Sequence, residues 1–277
     1  MNELRRKAAT VFKYGFVYIW VIFIMVPLVM LVLNPFKTRA EINRVFSFPS
    51  SFYLENFDKV FASPTLFLSF LNTFIIVFST ALVVVLLVSL ATYAIARRRE
   101  KIFIIIYFFL LSAMMIPISS NMVAIYRLII DLGLNDTRLS LILLYSATGI
   151  PMATLFYTGF IKGIPAELDQ SAMIDGCNYY QRFYLVIFPL LKPVTVSYVV
   201  ISIIGWWNDL LMPLLILSSP SKRTITLGIY NFVSEHGADD KGAIYALLLL
   251  STIPLIIIFI RLKNEIYAGI TSGALKF

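Results

Sequence analysis

Two polar residues, Asn208 and Asp209, lie inside an otherwise apolar stretch, Val194–Leu217, which is long enough to cross a bilayer. A carboxylate at that depth is costly unless it faces other helices or a wet cavity. Two roles are open. The pair could hydrogen-bond neighbouring helices or a partner subunit, or it could line a path through the membrane. In the second case Trp206 or Trp207 would offer a flat face to the solute.

The sequence offers little for covalent, nucleotide or metal chemistry. His236 is the single histidine and Cys177 the single cysteine, so no metal cluster or internal disulfide is expected. No Gly-x-x-x-x-Gly-Lys-Ser/Thr loop is present to hold the phosphates of a nucleotide. A membrane-embedded enzyme would need a paired nucleophile and base, and no such pair is visible. We therefore expect no catalytic residue and no cofactor or metal on this chain.

The composition is that of an integral membrane protein. Hydrophobic residues make up 60% and charged residues 14% of the chain, and the mean hydropathy is +0.87. A soluble domain has about 25% charged residues. The net charge of +8 is attributed to membrane topology and attraction to lipid headgroups, so nucleic acid is not an expected partner.

Six apolar stretches are long enough to span a membrane, which needs about 20 residues each. We therefore predict an all-α polytopic membrane protein with six transmembrane helices and a single membrane domain, 1–277. The second stretch exceeds what a bilayer requires, so it either tilts or extends into water. The predicted spans are about Tyr14–Leu33, Phe67–Ile95, Ile102–Met122, Leu139–Ile161, Val194–Leu217 and Ala243–Ile260.

Basic residues indicate which side of the membrane each loop faces. With six spans both termini lie on one side, and that side also includes the segment 165–193. It holds 14 of the 23 Lys and Arg residues. Because cytoplasmic loops are enriched in Lys and Arg, both termini, the segment 165–193 and a tail of 261–277 are predicted to be cytoplasmic.

The segment Pro165–Pro193, called the insert below, is polar and helix-forming although apolar stretches flank it. Glu167 and Asp169 place negative charge in a first turn, where the helix dipole favours it. A helix is therefore predicted from about Pro165 to Asp175. Gly176 can adopt the left-handed conformation that ends such a helix.

A second helix is predicted to follow at once, because Asn178 and Gln181 have the spacing of a capping box. It would run toward Pro189. The result is a helix–turn–helix at the cytoplasmic face. It could simply cap the helix bundle, or it could be a surface on which another protein docks.

The insert resembles the EAA loop of the membrane-spanning subunits of bacterial ABC importers. That loop reads Glu-Ala-Ala, three residues, Gly, nine residues, then Ile-x-Leu-Pro, and the spacing is intact in this chain. Gln170, Ser171 and Phe188 depart from the motif. The register falls on Gln170, Ser171, Ala172, Gly176, Val186, Phe188 and Pro189, and the matching residues are Ala172, Asp175, Gly176 and Pro189.

Similarity to the carbohydrate-uptake branch of this family continues outside the insert. It includes the segment 133–143, the Trp207-Asn208-Asp209 triplet with Pro213, and the tail 268–276. Chain length and tail are similar to those of the maltose-type G subunit. The resemblance implies a type I ABC importer permease fold in a bacterial cytoplasmic membrane. It also implies a second homologous permease, two ATPase subunits that bind ATP and Mg, and an extracytoplasmic sugar-binding protein as partners.

By the same resemblance, the insert would be a coupling helix seated in a groove of the ATPase. In the family the motif's Glu can pair with a basic residue there, and Gln170 loses that charge. Glu167 and Asp169 are candidates to supply it. The implied coupling residues are Glu167, Asp169, Gln170, Ser171, Ala172, Asp175, Gly176 and Pro189, and the implied ATPase-contacting tail residues are Gly269, Thr271, Gly273 and Lys276.

An ion-gradient-driven secondary carrier is the alternative function. It would require an intramembrane carboxylate, for which Asp209 is the clear candidate, and an internal repeat, which the sequence does not show. For Trp206, Trp207, Asn208 and Asp209, the resemblance favours a packing role over a sugar path, because in maltose-type importers the partner permease carries most substrate contacts.

Overall fold

The computed structural model describes residues 2–44, 47–236 and 240–274. These residues form helices joined by turns, and no strand occurs among them, in agreement with the predicted all-α class. The α-helices of the first half are α1 (Asn2–Leu33), α2 (Glu55–Phe61), α3 (Pro64–Arg97), α4 (Lys101–Ser112), α5 (Met122–Asp131) and α6 (Arg138–Gly163). Those of the second half are α7 (Glu167–Ile174), α8 (Tyr179–Gln181), α9 (Phe188–Leu190), α10 (Lys192–Asn208), α11 (Leu211–Ile216), α12 (Ile225–His236) and α13 (Lys241–Ala274).

Four helices are individually long and apolar enough to cross a membrane, and six spans result if each of two bent helix pairs counts as one. The four single helices are Phe12–Phe36, Pro64–Arg97, Arg138–Gly163 and Lys241–Glu265. The chain is thus a multi-pass helical membrane protein.

The third predicted span, Ile102–Met122, is not a continuous helix. Helix α4 ends at Ser112, and the direction of the chain changes by 82° before α5. The break lies at Ile116, whose ψ of 109° is extended. Proline disfavours the helical region for the residue before it, and Pro117 follows Ile116. The predicted span Ile102–Met122 is therefore bent, with α4 and α5 as its two helical parts.

The fifth predicted span, Val194–Leu217, is interrupted at Asp209. Helix α10 begins at Lys192 and ends at Asn208, and Asp209 has an extended ψ of 127° before α11 begins. The carboxylate of Asp209 accepts the backbone N–H of Leu211 at 3.0 Å. Aspartate commonly competes with a helix in this way by bonding the nearby backbone. The apolar stretch is therefore two helices rather than one.

The described residues group into two compact units. The smaller unit comprises 1–64 and 229–253, and the larger comprises 65–228 and 254–277. In the smaller unit, Asn56 donates from Nδ2 to the carbonyl oxygens of Pro35 and Lys37, at 2.8 and 2.9 Å. Lys59 pairs with Asp240 at 2.8 Å. The single membrane domain stays a prediction.

The larger unit holds the insert and the helices that support it. Helix α6 packs against α4 and α10. One apolar cluster of this unit, near the insert, includes Tyr157, Phe183 and Ile187, all essentially buried. A second cluster, which includes Tyr145, Met212 and Ile216, lies where α6 meets α11. The two clusters give the insert and the break at Asp209 separate packed supports.

Candidate functional site

The first half of the insert forms as predicted. Helix α7 has Glu167 and Asp169 in its first turn, and Gly176 has a φ of +84°, the left-handed value expected of the residue that ends it. The N–H of Gly176 bonds the carbonyl of Met173, and the N–H of Cys177 bonds that of Ala172, at 3.1 and 2.9 Å. These two bonds are those of a Schellman motif. The turn is therefore closed by its own backbone.

The second half of the insert begins with the predicted capping box. The Asn178 side chain accepts the N–H of Gln181 at 2.9 Å, and the Gln181 side chain accepts the N–H of Asn178 at 2.8 Å. After α8 the chain takes a wider π-helical turn, Arg182–Ile187, before α9. Pro189 has no N–H to continue the α-helical ladder, so a regular helix cannot pass through it unchanged.

One face of α7 is buried and the other is exposed. Asp169 and Ala172 are buried, at 8% and 6% exposure. The exposed face has a polar part and an apolar part, and Ile174 at its end is 84% exposed. An exposed apolar patch with a polar rim is typical of a binding surface. The exposed residues of α7 and its turn are Glu167, Leu168, Gln170, Ser171, Met173, Ile174, Asp175 and Gly176, and Pro189 at the far end of the insert is also exposed.

Asp169 points inward, away from the exposed face. Its Oδ2 lies 2.8 Å from Nε of Arg97, the last residue of α3, in a contact that is an ion pair and not an aligned hydrogen bond. Its Oδ1 accepts a hydrogen bond from the hydroxyl of Tyr93. Asp169 was expected to offer charge to an ATPase, but its carboxylate is bound within this chain. Glu167 is the acid of this helix that remains on the surface.

The side chains that hold Asp169 also contact the residue just before the insert and the second arm of the insert. Arg97 donates from Nη2 to the carbonyl of Ile164, just before the insert, at 3.1 Å. The ring of Tyr93 lies 5.0 Å from that of Tyr179 and 5.5 Å from that of Phe183, both in the second arm. Sequence reasoning missed Tyr93 and Arg97. Their spacing of four residues, which places both on one face of α3, was the available signal.

The second candidate region is the helix break at Asp209. The hydroxyl of Tyr145 on α6 donates to Oδ2 of Asp209 at 2.8 Å. The break and both side chains border a cavity of about 980 Å³. Irregular backbone at membrane depth is tolerated where it is buried in protein or lines a cavity. Asp209 is the one charged side chain among the residues that line this cavity.

The two tryptophans have different environments. Trp206 lines the cavity and stacks nearly parallel to Tyr145, with ring centroids 6.2 Å apart. Trp207 is 2% exposed and packs edge-on against Phe74. Asn208 also lines the cavity, and its side chain donates to the carbonyl of Ile204 at 2.8 Å. Of the two, Trp206 is therefore the one positioned to meet a solute.

A further polar cluster lies at the N-terminal end of α6, the end that does not lead into the insert. Asp136, in a left-handed conformation with φ of 52°, accepts the backbone N–H groups of Ser218 and Ser219, both at 3.0 Å. It also pairs with Lys222 at 2.9 Å. Burial acts to raise the pKa of Asp136, but the bonds from Ser219 and Lys222 outweigh it and hold that pKa well below its usual range.

The tail predicted at 261–277 continues helix α13 as far as Ala274. Gly269, Thr271 and Gly273 lie in this helix, and Lys276 falls outside the described residues. Their expected contact with an ATPase stays a prediction.

Comparison with known proteins identifies the family. Residues 4–269 match the family model described as binding-protein-dependent transport system inner membrane component. This chain belongs to that family. It is thus an inner membrane component of a binding-protein-dependent transport system, as the resemblance of the insert implied.

Several relatives of this inner membrane component are sugar permeases by name. It is 32% identical over 252 residues to the melibiose/raffinose/stachyose import permease protein MelC of Bacillus subtilis (strain 168). The aligned region covers 91% of each chain. It is 33% identical over 269 residues to the multiple sugar-binding transport system permease protein MsmG of Streptococcus mutans, which covers 95% of this chain and 96% of that one. These relatives are transport proteins and not enzymes.

A solved structure shares the fold of this inner membrane component. It is a crystal structure of a bacterial ABC transporter involved in the import of the acidic polysaccharide alginate. The TM-score is 0.81 at 19% identity, over 93% of this chain and 96% of that one. The predicted ABC importer permease fold is therefore confirmed.

Proposed function

We propose that this chain is one of two permease subunits of an ATP-driven importer of sugars or oligosaccharides. Family membership and the sugar permeases among its relatives support the proposal. The observation that carries the proposal is the insert, a helical surface with exposed apolar side chains that lies in the chain between α6 and α10. Its partners would be a second homologous permease, two ATPase subunits that bind ATP and Mg, an extracytoplasmic sugar-binding protein and membrane lipid.

Coupling would occur through the insert. Closure of the ATPase dimer would displace α7, and the displacement would pass to α6 and α10, which flank the insert in the chain. Rigid helical elements transmit such a displacement in known switching proteins. Alternating access would follow, with the cavity open outward to receive sugar and then inward to release it. ATP hydrolysis itself would take place on the partner subunits, so this chain would not be an enzyme.

The cavity at Asp209 would be part of the sugar path. Trp206 offers a flat ring to the apolar face of a sugar, while Asn208 and Asp209 lie beside it with polar groups for hydroxyls. Trp207, buried against Phe74, would serve helix packing. Replacing Trp206 by Ala should then raise the sugar concentration needed for half-maximal transport more than Trp207→Phe does.

Transport assays in inside-out and right-side-out vesicles test the proposal. The complex of this chain with its permease, ATPase and binding protein should accumulate labelled melibiose, raffinose or maltose only when ATP is on the cytoplasmic side. Gly176→Pro should reduce transport by at least tenfold, because proline cannot adopt the φ of +84°. Gln170→Ala should have a much smaller effect, because Gln170 lacks the charge of the family motif.

Two further arms of the same experiment discriminate the alternatives. Uptake abolished by an uncoupler and unaffected by ATP depletion would indicate the secondary carrier. The predicted orientation is tested by labelling Cys177 with an impermeant maleimide, which should react only from the cytoplasmic side. A Gln170→Ala loss as large as that of Gly176→Pro would contradict the view that shape, and not a charged contact, holds the ATPase here.

A further inference from the structure

The end of α3 is tied to the insert although the chain does not connect them. Asp169 lies 76 residues from Tyr93 in the sequence, yet it accepts a bond from the Tyr93 hydroxyl and forms an ion pair with Arg97. The side chains of Arg97 and Asp169 are only 16% and 11% exposed. Such a largely buried contact is screened less by water and salt than an exposed one.

The length of α3 makes this tie possible. Its 34 residues correspond to about 51 Å at 1.5 Å per residue, whereas a bilayer core is about 30 Å thick. The final turns, with Tyr93 and Arg97, contact the insert. Through Arg97 they also bind the carbonyl of Ile164, and through the Tyr93 ring they pack on Tyr179 and Phe183. The end of α3 thus contacts the first helix of the insert through Asp169 and its second arm through Tyr179 and Phe183.

We propose that Asp169, Arg97 and Tyr93 are positioning residues that transmit movement of the insert to α3. The inference rests on the proposed function, in which an ATPase displaces the insert. Helices α6 and α10 would follow through the chain itself. Helix α3 would follow only through side-chain contacts with the insert. Among these, a largely buried ion pair with a second hydrogen bond resists separation, because separation would leave a charge without its partner.

This assignment separates two roles within one short helix. The exposed face of α7 would receive the ATPase, and the buried face, with Asp169, would pass the displacement on. Loss of Asp169 charge should therefore leave the docking surface intact but disconnect one helix from it. The expected defect is uncoupling, in which ATP is hydrolysed without a matching amount of sugar transported.

The test is the ratio of sugar transported to ATP hydrolysed in the reconstituted complex. In Asp169→Asn the side chain keeps its size and an acceptor for Tyr93 but loses the charge that pairs with Arg97. We expect assembled complex and ATP hydrolysis within twofold of wild type, and a ratio at least fivefold lower. Glu100→Gln, which removes an exposed carboxylate just beyond the end of α3, is the matched control and should keep the wild-type ratio.

A double-mutant cycle makes the test specific. If Asp169 and Arg97 act as one unit, Asp169→Asn combined with Arg97→Gln should lower the ratio no further than either change alone. Tyr93→Phe removes the hydroxyl but keeps the ring, so it should lower the ratio about twofold. That variant decides the question if the charge variants fail to assemble.

Several results would overturn the proposal. A wild-type ratio in Asp169→Asn or in Tyr93→Phe would show that the link is not needed for coupling. An equal fall in assembled complex, hydrolysis and transport, in Tyr93→Phe as well as in the charge variants, would show that it serves folding alone. The proposed function fails on a different result, namely that the wild-type complex does not transport sugar with ATP.

Discussion

Two aspartates lie at opposite ends of α6, Asp136 just before it begins and Asp169 shortly after it ends. Each accepts a hydrogen bond from a hydroxyl and pairs with a cation. For Asp136 these are Ser219 and Lys222. For Asp169 they are Tyr93 and Arg97. Their surroundings differ. The Lys222–Asp136 pair is 36% and 21% exposed, and the Arg97–Asp169 pair 16% and 11%.

The partners differ as well. Asp136 mainly binds backbone N–H groups of one loop, so it holds the local shape of that loop. Asp169 binds side chains of a long helix, so it connects two elements. Exposed ion pairs contribute about 0–1 kcal/mol, whereas removing one partner of a buried pair costs about 3–5 kcal/mol. The same carboxylate chemistry therefore shapes a loop at one end of α6 and joins two helical elements at the other.

The largest expected effect is at the buried pair. Arg97→Ala leaves the Asp169 carboxylate buried without its cation and the Ile164 carbonyl without its donor. We expect the free energy of unfolding in detergent to fall by about 3–5 kcal/mol. Thermal or denaturant unfolding of the purified chain measures it. Arg98→Ala, at an exposed neighbour on the same helix end, is the control and should change stability by less than about 1 kcal/mol. Similar losses of stability in both variants would mean that the Arg97–Asp169 pair contributes no more than an exposed charge.

The next effect is at Asp136 and depends on pH. Its pKa is lower in the folded than in the unfolded chain, so its contribution is complete above the unfolded value of about 3.9 and is lost as pH falls below it. Asp136→Asn should cost about 1–2 kcal/mol at pH 7, since bonds from N–H groups to a charged acceptor weaken. The difference from wild type should shrink below about pH 4. A difference that grows on acidification would contradict this assignment.

The smallest effect is expected at Lys222. Lys222→Gln removes the more exposed partner of the Asp136 pair and its bond to the Asp136 carbonyl, and leaves the two backbone N–H bonds in place. The free energy of unfolding should fall by less than about 1 kcal/mol, and the difference should disappear in high salt because exposed charges are screened. Unfolding measured at low and high salt tests this. A loss as large as that of Arg97→Ala would mean that exposure does not explain the contrast between the aspartates.

Much of the insert could be predicted because its rules are local. Gly176 ends α7 and Asn178 with Gln181 caps the next helix through bonds that span only a few residues. The direction of Asp169 could not be predicted in this way. An acidic residue in the first turn stabilises the N-terminus of a helix whichever way its side chain points. The burial of Asp169 depends on Tyr93 and Arg97, which are far away in the chain.

The membrane spans show the same limit. A window of apolar residues predicts that Val194–Leu217 spans the membrane, but an average over the window conceals one residue that stops the helix. Asp209 stops it by accepting the N–H of Leu211. Neighbouring helical residues point about 100° apart, so Trp206 and Trp207 face different sides of α10, and the sequence does not say which of them faces the cavity. Only packing against Tyr145 and Phe74 assigns one to the cavity and the other to the core.

By itself, the sequence determined the all-α membrane class, the helix–turn–helix of the insert and the resemblance to an importer permease, because hydropathy, capping and turn chemistry act over a few residues. The tertiary structure decided which side chains of the insert are free for a partner and which are bound to α3, and where the apolar spans break. Those outcomes depend on contacts between residues that are distant in the chain, and no local pattern encodes which of them will meet.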